Sequence, residues 1–425
     1  MANNRSGSAG GGYQKTILKN GLRVVTETIP SVRSISLGVW IDVGSRNETA
    51  QENGASHLIE HLVFKGTKKR SAKKIAASLE ELGGSLNAFT SREQTCYTAR
   101  ILDEHLEDAI DVLSDITCRA TFTPTNIQRE KLVVAEEINE SIDNPGDLII
   151  DLFCKTYWNS HPLGRPIMGS IETITNLPRA GILDYVKRNY RTGSIVIAAA
   201  GSVSHSKLVR LVKKYFDFAE GTAPAPEEQH RRVSRKIQIK SNKNQQTHVC
   251  LGFPGVELPS KDKMTALSLS TYLGAGMSSV LFQKIREQLG LVYTVYTFND
   301  FYRDAGIFGS YLGTSKPNLG RAVDIILKEC YRMKKSRISR DTLDKVKAQL
   351  KGHISLSMES TTSRMSRLGR QELVTGQYQT LRKTLNDINR ITPSAIMELA
   401  NRIFDPSQLA IAVLGPADKD VFDHV

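Results

Sequence analysis

Residues 14–28 alternate apolar and polar positions in two runs rich in Leu, Val and Thr, parted by Asn20-Gly21, which predicts an antiparallel hairpin. Residues 34–43, aliphatic along one side, predict another strand. The period then lengthens. Residues 55–64 and 72–82 carry apolar positions at helical spacing. Gly83-Gly84 ends the second helix, because glycine reaches the left-handed conformation a helix stop uses. Alternation returns over 85–89 and 94–101, as strands. Residues 105–116 and 125–142 read as helices, the latter opening after Thr123-Pro124. A short aliphatic strand at 195–201 and a helix at 207–216 complete the set.

The order then restarts. Residues 218–235, including Gly221-Thr-Ala-Pro-Ala-Pro226, have little to bury and read as a linker, taken as 218–240. Beyond it come a strand at 247–253, helices at 264–273 and 279–288, strands at 292–299 and 307–314, and a helix at 318–331. Both halves also close alike, on a polar turn leading into an aliphatic strand that stops at glycine, Gly201 and Gly415. A duplicated α+β fold is therefore expected, two homologous α/β domains each built on a mostly antiparallel sheet packed by helices. Their bounds are 13–217 and 241–425, after a disordered, glycine-rich leader at 1–12.

Bulk properties narrow the class. A chain of 425 residues exceeds one ordinary core and suits two domains. No apolar run approaches the roughly 20 residues of a membrane helix, so no membrane partner is expected. The net charge of +13 permits anionic contacts, yet its lysines and arginines are spread without a nucleic-acid-binding motif, and no nucleic-acid partner is expected. Five scattered cysteines, never in a C-x-x-C pair, argue against a disulfide framework or a cysteine metal site and fit a cytoplasmic protein.

The chemistry gathers in His57-Leu58-Ile59-Glu60-His61. At 3.6 residues per turn, the two imidazoles and the carboxylate share one helix face. Two neutral imidazoles at i and i+4 can grip one zinc ion, with Glu60 placed as a base beside it. The alternative is a pair of histidines on a solvated helix. A catalytic zinc needs a third protein ligand. The 125–142 helix offers Glu130, Glu136, Glu137 and Glu140. Of these, Glu130 and Glu137 lie seven apart and point almost the same way, so one can ligate while the other orients a histidine from behind.

The stretch His57-Leu-Ile-Glu-His-Leu-Val-Phe-Lys-Gly-Thr67 resembles the signature of the pitrilysin/insulinase metallopeptidases, most closely the mitochondrial-processing-peptidase branch. The resemblance extends to Arg129-Glu-Lys-Leu-Val-Val-Ala-Glu-Glu-Ile138 and Gly83-Gly-Ser-Leu-Asn-Ala-Phe-Thr-Ser-Arg92. It also covers residues 274–293, which are similar to a motif of the family's C-terminal domain. It implies one zinc per chain held by His57, His61 and Glu137, with Glu130 as the supporting acid and Glu60 as general base. Asn87, Ala88 and Phe89 are implied to face an extended peptide substrate. Arg286 and Tyr293 are implied to stabilise the developing oxyanion from the far wall of a clamshell cleft. The function so implied is zinc-dependent endopeptidase action on unfolded peptides or short precursor segments. A homodimer, or a heterodimer with a homologous subunit, is also implied. The other reading is a non-catalytic binding or assembly subunit of the same fold, although such relatives usually lose the H-x-x-E-H residues that are intact here.

Overall fold

A computed structural model of the chain describes residues 12–226, 234–241, 246–418 and 420–423. The expected leader, apart from Gly12, and part of the expected linker lie outside the described residues. The first half runs β1 (Tyr13–Ile17), β2 (Arg23–Thr28), β3 (Ser34–Ile41), α1 (Ala55–Val63), α2 (Ala72–Glu80), β4 (Ser85–Thr90) and β5 (Thr95–Leu102). It continues with α3 (Leu106–Arg119), α4 (Pro124–Asp143), α5 (Pro145–Trp158), α6 (Ile171–Asn176), α7 (Arg179–Asn189), β6 (Ile195–Gly201) and α8 (His205–Tyr215). The second half runs β7 (Lys236–Lys240), β8 (Thr247–Pro254), α9 (Lys263–Gly274), β9 (Val292–Phe301) and β10 (Gly306–Thr314). Then come α10 (Leu319–Lys335), α11 (Arg340–Ser357), α12 (Thr361–Val374), α13 (Leu381–Asn389), α14 (Pro393–Ile403) and β11 (Ala410–Leu414).

The two sheets repeat one topology. The first is ordered β1-β2-β6-β3-β5-β4 and the second β7-β11-β8-β10-β9. Each has one parallel pair, β2 with β6 and β7 with β11, and is otherwise antiparallel. Matching β2, β6, β3, β5 and β4 to β7, β11, β8, β10 and β9 reproduces both the neighbours and the order in the chain. Chance resemblance of common elements does not reproduce a strand order, so the duplication is structural.

The compact units do not follow the linear cut. One comprises residues up to 138, 166–227 and 356–380; the other comprises 139–165, 228–355 and 381–425. The expected bounds 13–217 and 241–425 therefore differ from the structure in two segments, each containing the third helix after a repeat's edge hairpin. In the first unit α12 covers one face of the sheet. Its Met365 and Leu368 are buried with Val25, Trp40, Cys96, Val196, Ala198 and Ala200. The Trp40 indole N–H donates to Met365 Sδ at 3.2 Å. In the second unit α5 does the same, burying Ile149 and Phe153 with Cys250, Ala410, Ala412 and Leu414. The reason is that β6 and β11 are buried on both faces, so each sheet needs a second cover besides its own α-layer.

Two further expectations are corrected. The linker ends before residue 240, because Lys236–Lys240 pairs in parallel with β11 as β7. The helix expected at 279–288 is π-helical over Phe282–Gln288. Leu281 and Ile285 are fully buried there, while Arg286 stays half-exposed. No described helix is long and apolar enough to cross a membrane.

Candidate metal centre

The first unit brings two helices and an edge strand together. Helix α1 begins after Gly54, whose φ of 97° is the left-handed conformation that glycine accepts. Leu58, Ile59, Leu62 and Val63 of α1 are buried in the core, leaving His57, Glu60 and His61 half-buried on the other side. Helix α4 buries Ile127, Lys131, Val134 and Ile138. Glu130 is buried beside that stripe and Glu137 is half-buried, whereas Glu136 and Glu140 are exposed. The helix face thus chooses among the four acids. The Lys131 ammonium anchors α4 by donating to the carbonyls of Thr175 and Leu177 at 2.8 and 2.7 Å.

Three donors converge. Glu137 Oε2 lies 3.4 Å from His61 Nε2 and 3.8 Å from His57 Nε2. Among the described residues, His57, His61 and Glu137 form the one group of three or more His, Cys, Asp or Glu side chains able to share a metal ion. Zinc bonds of about 2.0–2.1 Å in a tetrahedron place ligand atoms about 3.3 Å apart, so these residues fit zinc with little movement. The donor set, two imidazoles and one carboxylate, also matches catalytic zinc, which keeps a fourth position open.

The surroundings treat the two imidazoles differently. Behind His61, Nδ1 lies 3.4 Å from Glu130 Oε2, which Lys65 Nζ approaches at 3.1 Å. Glu130 Oε2 is buried without a hydrogen-bond partner among the described residues, so it faces His61 without bonding to it. His57 Nδ1 is buried with no hydrogen-bond partner among the described residues. Burial, and then the neighbouring His61, push the His57 pKa down to about 4, so its ring is neutral and able to donate at physiological pH. Glu60 sits beside the three donors. Burial raises its carboxyl above the usual range, opposed by the Thr90 hydroxyl, which donates to Oε2 at 2.5 Å.

Thr90 ends β4, the edge strand of the sheet. On that strand Asn87 and Phe89 are exposed and Ala88 is half-buried. The Ala88 N–H donates to Asn87 Oδ1 at 2.8 Å, and Phe89 meets Trp40 edge-on at 5.6 Å between ring centroids. In the second unit the Arg286 guanidinium lies over the rings of Phe282 and Tyr293, at 4.7 and 5.3 Å. Tyr293 is 75% exposed. His161 is buried, and its Nδ1 accepts from the Leu163 N–H at 3.1 Å, a local structural role.

Sequence reasoning missed Thr90, Lys65 and Lys131. Thr90 had a signal, since alternation puts residues 86, 88 and 90 on one face of β4. The two lysines had none, because each acts through tertiary contacts.

Comparisons with known proteins identify the family. Residues 23–171 match the family described as insulinase (peptidase family M16), and residues 176–350 match the M16 inactive domain. A Bacillus subtilis protein named uncharacterized zinc protease YmxG is 39% identical over 404 residues, covering 94% of this chain and 97% of its own length. A similarly named Streptomyces coelicolor zinc protease is 36% identical over 414 residues, covering 96% and 90%. Among solved structures, a protease from Helicobacter pylori superposes with a TM-score of 0.90 at 25% identity, covering 95% of this chain and 99% of that one. With both halves matched in order and a relative 39% identical along nearly its whole length, this chain belongs to the insulinase family of peptidases, M16.

Proposed function

We propose that this chain is a zinc-dependent endopeptidase, with one zinc per chain, acting on unfolded peptides or short precursor segments. The convergence of His57, His61 and Glu137, with Glu60 alongside, is the observation that carries this reading. His57 and His61 each supply a ring nitrogen and Glu137 one oxygen, with Glu130, 3.4 Å behind His61 Nδ1, assigned as the supporting acid. Zinc, when bound, acts as a Lewis acid that polarises a carbonyl and lowers the pKa of water. Glu60 takes the proton of the attacking water and returns it to the leaving amine. Thr90 holds its Oε2, which leaves Oε1 for the proton.

The edge position of β4 supports binding of the substrate as an added strand beside Asn87, Ala88 and Phe89, with backbone hydrogen bonds giving affinity. An incoming strand then competes with the Asn87 side chain for the Ala88 N–H. Arg286 and Tyr293, already paired with each other, are assigned to the negative charge that develops on the scissile carbonyl oxygen. The five free thiols, four of them buried, support residence in the cytoplasm. We assign a dimeric state, with a second copy or a homologous subunit. Zinc content per chain, together with hydrolysis of a quenched peptide before and after chelation, tests the reading. A chain that binds zinc tightly but cleaves no peptide would instead be a binding or assembly subunit.

A further inference from the structure

Helix α1 has no side-chain cap of its own, since its N-cap residue is Gly54. Its first-turn donors are nonetheless buried and satisfied from six residues earlier. Glu48 Oε2 accepts from the Gly54 N–H at 2.8 Å, and Oε1 accepts from the Ser56 N–H at 2.8 Å. Asn53 Nδ2 donates to the same Oε2 at 2.9 Å and to the Pro166 carbonyl at 3.0 Å. Ser56 directly precedes His57. The carboxyl therefore grips the turn of α1 from which the first imidazole projects.

The other side of the same loop grips the β4–β5 turn. The backbone N–H groups of Ser45 and Arg46 donate to the carbonyls of Ser91 and Arg92 at 3.2 and 2.7 Å. The buried Arg46 guanidinium meets Glu93 Oε1 at 2.6 Å. Gly44 is needed for this approach, because a Cβ there would sit 2.2 Å from the Ser91 carbonyl oxygen. Thr90, which donates to Glu60, is the residue just before that turn.

Resting on the metallopeptidase reading, we infer that loop 44–48 is a brace that sets α1 against β4, and that Glu48 is a positioning residue for His57 and Glu60. One short segment holds both the turn that carries a zinc donor and the hairpin that carries the hydroxyl on the base. A serine or asparagine at position 54 would cap the helix locally but would leave it untied to the hairpin. Burial pushes the Glu48 carboxyl up to about 7, a cost the fold bears at a position where a neutral cap would serve stability alone.

The test is Glu48→Gln in the full chain. Glutamine offers one acceptor oxygen, and its NH₂ cannot accept the second backbone N–H. Zinc affinity, measured by chelator competition, is expected to weaken about 10-fold or more. Hydrogen exchange at the Ser56 amide is expected to quicken, and kcat at saturating zinc to fall about 10- to 100-fold with KM nearly unchanged. Unchanged zinc affinity and kcat in the folded variant overturn the proposal, even if its melting point moves. Glu93→Gln loosens only the hairpin side and is expected to lower kcat while keeping zinc affinity. If Glu48→Gln does not fold, wild-type kcat in Glu93→Gln overturns the proposal by itself. A wild-type chain that binds no zinc overturns the metallopeptidase reading instead, and the Ser56 exchange comparison still reports on the brace.

Discussion

Glu60→Gln isolates the proposed base from the proposed ligands. The amide has nearly the shape of the carboxyl, and its oxygen can go on accepting from Thr90, held in the parent at 2.5 Å. It cannot take up the proton of an attacking water. None of the converging atoms of His57, His61 and Glu137 is altered, so zinc content should equal that of the wild type. Burial already holds the Glu60 carboxyl above its ordinary range, so a neutral replacement relieves desolvation and should not lower the unfolding midpoint. General acid–base catalysis contributes about 10²- to 10⁴-fold, or roughly 3–5 kcal/mol of barrier. In the proposed mechanism the same group serves both the attack and the departure of the amine, so a loss near the upper end is expected. The assay is kcat on a quenched fluorogenic peptide, with zinc measured on the same sample. More than a tenth of wild-type kcat at full zinc would refute Glu60 as the base. Loss of zinc along with activity would make Glu60 a ligand instead.

Glu130→Gln removes the charge 3.4 Å behind His61 and should weaken zinc binding about 10- to 100-fold in chelator competition, with the fold intact; undiminished affinity would deny Glu130 its supporting role. Met365→Ala, at a fully buried site under Trp40, should cost about 2–5 kcal/mol in denaturant unfolding. A loss below about 1 kcal/mol would mean that α12 contributes little to the sheet it covers. Stability should also carry a Glu48 signature. Its folded pKa of about 7 lies above the ordinary 4.5, so the fold favours the protonated form. That contribution is complete below pH 4.5 and is lost as pH rises through 7, by about 3 kcal/mol. Glu48→Gln does not titrate, so wild-type stability should fall relative to the variant over this window; a constant difference would contradict the shift.

Much of the site was legible because its geometry is local. The i, i+4 spacing of His57 and His61 on a helix follows from 3.6 residues per turn, whatever surrounds it. The heptad between Glu130 and Glu137 likewise puts both acids on one face of α4, yet four glutamates stood on that helix. Tertiary packing excluded Glu136 and Glu140, which point to solvent, and before the structure only family resemblance favoured Glu137. The strands were equally local, since alternation with Asn20-Gly21 predicted the β1–β2 hairpin that forms.

Glu48 shows where this reading stops. Nothing in Gly44-Ser-Arg-Asn-Glu48 marks an acid that caps a helix beginning at Ala55, because the N–H groups it satisfies are chosen by the path of the intervening loop. The exchanged helices show the same limit at larger scale. The apolar stripes of α5 and α12 declare that each must be covered, but a hydrophobic face is not directional and does not name its partner. By itself the sequence determined many of the helices and strands and put the two histidines and the acid on one turn, through periodicities within a few residues, and its repeated order of elements marked the duplication. Only the tertiary structure decided which sheet each exchanged helix covers, which glutamate meets the imidazoles, and what holds α1 in place, because those depend on contacts between segments far apart in the chain.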